Sequence, residues 1–236
     1  MSILNAKLNP GLLAAEFAIN KRIQIQDVLD GPAADMIDQT LRRGTPWRIA
    51  YNRRDQYFTV TQDELNAMGP AGVQKLMQEC LENAKSQYQY IYGCYPMVEA
   101  IVNKKDQGHL LHTVLEELNS PYFLDFIRHI TGISSITKAD GQATLYRPGN
   151  FLKYHTDFDS KRDRRVAYVL GFTKNWQADW GGVLEFYNDR GDVEAGILPR
   201  FNTLSLFAVP KPHAVTYVAP YANEGRYSIT GWFSDR

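Results

Sequence analysis

The spacing of apolar positions changes near the middle of this chain. Over residues 73–84, Val73, Leu76, Met77, Cys80, Leu81 and Ala84 recur at helical intervals. From residue 142 onward, short β-branched and aromatic runs are separated by Gly, Asn and Pro turns, which predicts strands. Within the first half, residues 33–43 predict a helix, 17–28 alternate enough to predict a strand, and 47–51 a returning strand. Thr61-Gln-Asp-Glu64 is a capping box that opens a helix, interrupted at Gly69-Pro70. Residues 110–118 and 121–130 predict two more helices, with Asn119-Ser120 between them and Pro121 placed to start the second. Tyr88, Tyr90 and Tyr92 alternate as a strand with one aromatic face, and 96–108 predict a polar-ended loop able to close over a site. No repeat, low-complexity segment or linker divides the halves, so 1–236 reads as one domain of helices supporting an antiparallel β-sandwich.

Composition narrows the function classes. A chain of 236 residues can bury one substantial core. Lys+Arg and Asp+Glu both number 26, which leaves no broad field for binding nucleic acid or an anionic membrane. The basic run Lys161-Arg-Asp-Arg-Arg165 reads as a solvated loop, with Arg165 a candidate for lining a substrate entrance. The two cysteines, Cys80 and Cys94, fit neither a zinc spacing nor a disulfide framework. Cys80 lies in an apolar helical stretch and reads as a small buried hydrophobe. No signal peptide and no membrane-spanning run is visible. The expectation is a cytoplasmic, reducing setting.

The candidate chemistry lies in the second half. Residues 150–157 (NFLKYHTD) follow a Pro148-Gly149 turn and end in His155-Thr156-Asp157. Side chains two apart on a strand share a face, so His155 and Asp157 project together. His213 follows a pair of prolines at the start of a β-branched run. Two imidazoles and one carboxylate make a facial triad that holds non-haem Fe(II) and leaves positions open for chemistry. A lone His-x-Asp recurs by chance, and by itself reads as a surface histidine beside a solvated aspartate. The downstream Arg226-Tyr-Ser228 changes that weighting, since Arg226 and Ser228 share a strand face. A guanidinium grips a carboxylate through two parallel hydrogen bonds, and a hydroxyl can add a third. An arginine near such a metal points to a dicarboxylate cosubstrate.

Residues 143–157 (ATLYRPGNFLKYHTD) resemble the first core strands of the prolyl 4-hydroxylase group of 2-oxoglutarate- and Fe(II)-dependent dioxygenases. Residues 165–170 (RVAYVL), 180–186 (WGGVLEF), 202–207 (NTLSLF), His213-Ala-Val and 226–233 (RYSITGWF) continue the resemblance in order, over roughly 140–236. Within the group the chain looks most similar to the branch with ribosomal-protein prolyl hydroxylases and their bacterial relatives. The resemblance implies an α+β, mainly β fold: a double-stranded β-helix, or jelly roll, over 140–236, with residues 1–139 as helix-rich support and candidate lid. It implies His155, Asp157 and His213 as iron ligands, and Arg226 as partner of the distal carboxylate of 2-oxoglutarate. Tyr146 matches the tyrosine that reaches the same carboxylate, and Ser228 is a further candidate there. Fe(II) is the implied metal, with 2-oxoglutarate and O2 as cosubstrates and ascorbate as reductant. The collagen-type enzymes carry lysine where this chain has Arg226.

Three readings compete. One is hydroxylation of a prolyl residue in a protein, with Tyr92, Tyr95 and Arg165 as candidate substrate or lid contacts. The second is the same chemistry on a free amino acid or other small molecule. The third is a jelly-roll binding protein without catalysis, against which the complete metal and arginine set argues.

Overall fold

The computed structural model describes residues 3–158 and 163–235, so Lys161 and Arg162 of the basic run lie outside the described residues. In chain order the elements are α1 (Pro10–Asn20), β1 (Arg22–Gln26), α2 (Gly31–Arg43), β2 (Arg48–Arg53), β3 (Gln56–Val60), α3 (Gln62–Ala84), β4 (Tyr90–Tyr95), α4 (Met97–Val102), α5 (Leu110–Leu118) and α6 (Pro121–Thr131). They continue with β5 (Lys138–Ala139), β6 (Gln142–Tyr146), β7 (Phe151–His155), β8 (Arg164–Phe172), β9 (Leu184–Tyr187), β10 (Val193–Ile197), β11 (Phe201–Ala208), β12 (His213–Val215) and β13 (Arg226–Ser234).

Local chemistry explains several boundaries. The Thr61 N–H donates to Glu64 Oε2 at 2.7 Å and the Glu64 N–H donates to Thr61 Oγ1 at 3.3 Å, so the capping box opens α3 as expected. Gly69, with φ 65° and ψ 176°, breaks that helix just before Pro70. Ser120 Oγ accepts from the Phe123 N–H, and Pro121 stands at the first position of α6. The strand expected over 17–28 is corrected. Asn9 Oδ1 accepts from Gly11 and Leu12, Pro10 starts a Leu/Ala-rich helix that runs through Phe17, and only residues 22–26 form strand. The loop expected over 96–108 begins instead as α4. The aromatic strand is also corrected: β4 starts at Tyr90, and all six of its residues are buried.

The strands form one antiparallel path, β1-β11-β8-β13-β6-β4-β7-β12-β9-β10, with the β2–β3 hairpin joining at β4 and β5 at β13. The path curls so that β7, β12 and β9 face β8, β13 and β6 across a cavity, the nearly closed arrangement of a jelly roll. Alternation decides which side chains meet which layer. Tyr227, Ile229 and Phe233 of β13, Val166, Leu170 and Phe172 of β8 and Leu204 and Leu206 of β11 pack with α1, α2, α5 and α6 in the largest core cluster. Their neighbours in sequence, among them Arg226, Thr230, Trp232, Ala167 and Val169, turn the other way and line the cavity. Helices on one side thus leave the opposite side of the same strands for chemistry.

Candidate metal centre

His155 is the last residue of β7 and His213 the first of β12, and the two stand directly opposite each other across the antiparallel pair. Their ring centroids are 4.2 Å apart. Asp157 lies two residues beyond the end of β7, not on the strand as its spacing suggested. Its carboxylate nevertheless reaches both rings: His155 Nε2 is 3.4 Å from Oδ1 and His213 Nε2 is 3.5 Å from Oδ2. One ligand atom from each residue lies within 4.8 Å of the others.

Hydrogen bonding fixes what these atoms offer. His155 Nδ1–H donates to the Lys153 carbonyl at 2.9 Å, and His213 Nδ1–H donates to the Lys211 carbonyl at 2.8 Å. A carbonyl only accepts, so each Nδ1 carries a proton, and in the neutral ring this leaves Nε2 as the atom with a lone pair. Burial pulls His213 down to about 4, helped by the neighbouring His155. Burial opposes charge on Asp157, but hydrogen bonding from His155, the charge of the two imidazoles and hydrogen bonding from Trp232 outweigh it and hold the carboxyl below its usual value. Two imidazole Nε2 atoms and a carboxylate therefore converge. That donor set fits a divalent cation bound by two histidines and one carboxylate.

A cavity of about 940 Å³ runs past the three ligands. At its inner end, Arg226 is 3% exposed and makes no ion pair among the described residues, and its Nε is buried without a hydrogen-bonding partner. Burial lowers its affinity for the proton. Its guanidinium carbon lies 4.9 Å from the centroid of the Tyr146 ring, which stacks on Tyr92 at 5.1 Å. Burial pushes both tyrosine hydroxyls far above their ordinary range, so they stay protonated. A buried cation without an anion is costly, and a carboxylate arriving from the cavity would answer it.

The remaining candidates divide. Tyr92 lines the cavity, where its hydroxyl accepts from Gln142. Ser228 is buried on the Arg226 face of β13, but its hydroxyl is bonded to Thr144 Oγ1 at 2.8 Å, and Thr144 forms the cavity wall there. Tyr95 is corrected: it follows Cys94 by one and so faces the helices, where its hydroxyl meets Asp106 and His112. Arg165 is corrected too. It points outward to Asp235. Simple alternation from Ala167 would aim it inward, but the ladder slips between Phe233↔Val166 and Ser234↔Arg164, and this bulge turns Arg164 in instead. The Arg164 guanidinium stacks 3.5 Å from the centroid of the Trp232 ring. Trp232 was legible in principle, since it lies on the same face of β13 as Arg226. Tyr57, from the β2–β3 hairpin, and Phe158 also line the mouth and carried no signal in the sequence. Of the expected lid, Pro96, Val98 and Glu99 reach the cavity, whereas Asp106 is held at Tyr95. Among the described residues no helix is long and apolar enough to cross a membrane.

Comparison with known proteins places these features. Residues 141–234 match the 2OG-Fe(II) oxygenase superfamily. The mouse prolyl 3-hydroxylase OGFOD1 is 27% identical over 128 residues, which cover 51% of this chain and only 23% of that protein. A Pseudomonas putida prolyl-4-hydroxylase has a similar fold, with TM-score 0.60 at 20% identity over 97% of this chain and 100% of that one. A Trichoplax adhaerens prolyl hydroxylase, solved with a hypoxia inducible factor peptide, superimposes with TM-score 0.64 at 18% identity over 96% and 89%.

Proposed function

We propose that this chain, whose residues 141–234 are a 2OG-Fe(II) oxygenase core, is an Fe(II)- and 2-oxoglutarate-dependent dioxygenase that hydroxylates a prolyl residue of a protein. The observation that carries the reading is one cavity holding both the His155, Asp157 and His213 triad and the unpaired, buried Arg226. When bound, Fe(II) with 2-oxoglutarate and O2 supplies insertion of one oxygen atom into a C–H bond, the other leaving in succinate alongside carbon dioxide.

The chain's own residues do the rest. His155, Asp157 and His213 would hold the metal from one side. Arg226 would take the distal carboxylate of the cosubstrate, with the Tyr146 hydroxyl as a second, neutral donor; whether Ser228 contributes depends on release of its bond to Thr144. The apolar walls, Leu184, Phe207 and Val215 among them, keep water from the reacting centre. No side chain is required as a general base for removing hydrogen from carbon.

The mouth favours a protein substrate over a free amino acid. Tyr57 is 51% exposed and Phe158 69%, beside half-exposed Tyr88 and Val98. The rings of this rim suit an extended proline-containing segment, which loses little entropy on docking. The mouse relative is named a prolyl 3-hydroxylase and the bacterial structure a prolyl-4-hydroxylase, and attack at either ring carbon fits the proposal. Buried free cysteines and a ferrous centre suit a reducing, cytoplasmic setting.

Anaerobic titration with Fe(II) and 2-oxoglutarate, followed by turnover with ascorbate in cell extract and intact-protein mass readout, tests the proposal. One metal per chain and a gain of one oxygen on a specific protein is the expected result. Efficient hydroxylation of free proline with no protein product would replace it by the small-molecule reading. No uptake of metal or 2-oxoglutarate would leave a binding protein.

A further inference from the structure

Both candidate ligand histidines end the same three-residue pattern, Lys153-Tyr154-His155 and Lys211-Pro212-His213. In each, the imidazole Nδ1–H donates to the carbonyl of the lysine two residues earlier. In each, the lysine side chain is itself tied to a distant element. Lys153 Nζ donates to Ala84 O at 2.6 Å and to Gln87 O at 2.7 Å, where α3 ends. Its backbone N–H donates to Gln89 O at 3.0 Å, so side chain and main chain grip the same segment. Lys211 Nζ meets Glu194 Oε2 of β10 at 2.6 Å, and Glu194 also pairs with Arg22 of β1 at 3.3 Å.

The two tethers differ in strength. The last carbonyls of a helix lack intrahelical partners and carry partial negative charge. α3 has no basic residue in its own last turn, and Lys153 supplies the cation from the neighbouring strand. The Lys211–Glu194 pair is partly exposed, with side chains 28% and 36% accessible, where an ion pair contributes little.

We propose that Lys153 and Lys211 are positioning residues that fix the tautomer and aim of His155 and His213, with Lys153 the stronger. An anchored carbonyl keeps the proton on Nδ1 and the Nε2 lone pair towards Asp157. A ring released from that carbonyl can present an N–H to the site instead, which a cation rejects. The proposal rests on reading the triad as a metal centre. Partners of metal-bound histidines are typically worth 10–100-fold in metal affinity. Here the carbonyl remains and only its anchor is lost, so Lys153→Met should weaken binding by about tenfold, the low end of that range. Lys211→Met should weaken it about twofold.

Imidazole 15N NMR on the metal-free protein, paired with Mn(II) binding by calorimetry, tests this. Both wild-type rings should show a single Nδ1–H form. Lys153→Met should mix the tautomers of His155, leave His213 alone and weaken Mn(II) binding, and Lys153→Arg should restore most of both. A Lys153→Met protein with a single His155 tautomer and wild-type Mn(II) affinity would overturn the proposal. So would equal mixing at both histidines, which marks general loosening. If Lys153→Met does not fold, Lys211→Met on the surface still decides: mixing at His213 alone supports the tether, and no change there overturns it. A wild-type protein with fixed tautomers that takes up no Mn(II) fails the metal reading and leaves the tethers standing.

Discussion

The inner end of the cavity and its mouth are made from opposite materials. Inside, Arg226, Tyr146, His213 and Asp157 are all buried, and their free hydrogen-bonding capacity points into the cavity. At the mouth, Tyr57, Tyr88, Val98 and Phe158 are exposed or half-exposed, and the charged Glu99 is already paired with Arg48 and Lys105. The inner end is polar and buried. The mouth is apolar and exposed. Buried polar groups favour a particular ligand, whereas an exposed aromatic rim only favours a shape. Identity of metal and cosubstrate should therefore be set inside, and choice of substrate outside.

The most severe way to break this contrast is at the metal. Asp157→Ala removes both a proposed ligand and the only anion among the three, and should abolish 2-oxoglutarate consumption measured as succinate release. Full turnover by this variant would end the assignment. Arg226→Ala comes next. It should raise the Michaelis constant for 2-oxoglutarate tens- to thousands-fold, equivalent to roughly 2–5 kcal/mol for a buried charge pair, with metal binding intact. Tyr146→Phe, which deletes a neutral donor, should have a milder effect of about 1 kcal/mol. An unchanged Michaelis constant in Arg226→Ala would remove the cosubstrate from the inner end.

Acid sharpens the same contrast. His213 is held near 4 when folded, against about 6.5 when unfolded, so the unfolded chain binds the proton first. Its contribution is complete above pH 6.5 and fades as pH falls towards 4. The metal-free protein should lose about 3 kcal/mol over that window from this group. Urea midpoints against pH, compared with His213→Gln, would read it, and parallel curves for the two proteins would contradict it. The smallest effect should lie at the mouth. Tyr57→Ala and Tyr88→Ala should raise the Michaelis constant for a peptide by a few-fold, about 1 kcal/mol for one aromatic contact, without altering peptide-independent decay of 2-oxoglutarate. Equal loss of both activities would show that the rim supports the inner end.

The same division governs what could be read from the sequence. His155 and Arg226 are legible from strand alternation and His213 from the prolines before its strand, whereas Tyr146 is marked only by the family resemblance. Alternation also exposes its own limits. One bulge exchanged Arg165 for Arg164, and no local signal marks a bulge that exists only in the pairing of β8 with β13. Tyr95 was placed with its aromatic neighbours by composition, although its parity assigns it to the helix side. The mouth gathers Tyr57, Tyr88, Val98 and Phe158 from four separate segments, and only tertiary structure joins them. Among the elements, the capped helices α3 and α6 were legible because their first turns are written in side chains. α1 is harder to read, because Phe17 is its sole buried residue and so its apolar positions mark no inward face; only the Asn9-Pro10 start announces it.

The direct pairing of His213 with His155 has a consequence for how the chain acquires its structure. β12 is only three residues long, but it is buried throughout and paired on both edges, with β7 and with β9, which is what specifies its alignment. A slip by one residue would set Pro212 or Ala214 opposite His155 and turn the second imidazole to the other side of the sheet. A chain so misassembled would lose the proposed metal site. On that reading, a divalent cation present during refolding would act as a proofreader, binding the correct alignment and drawing the population towards it.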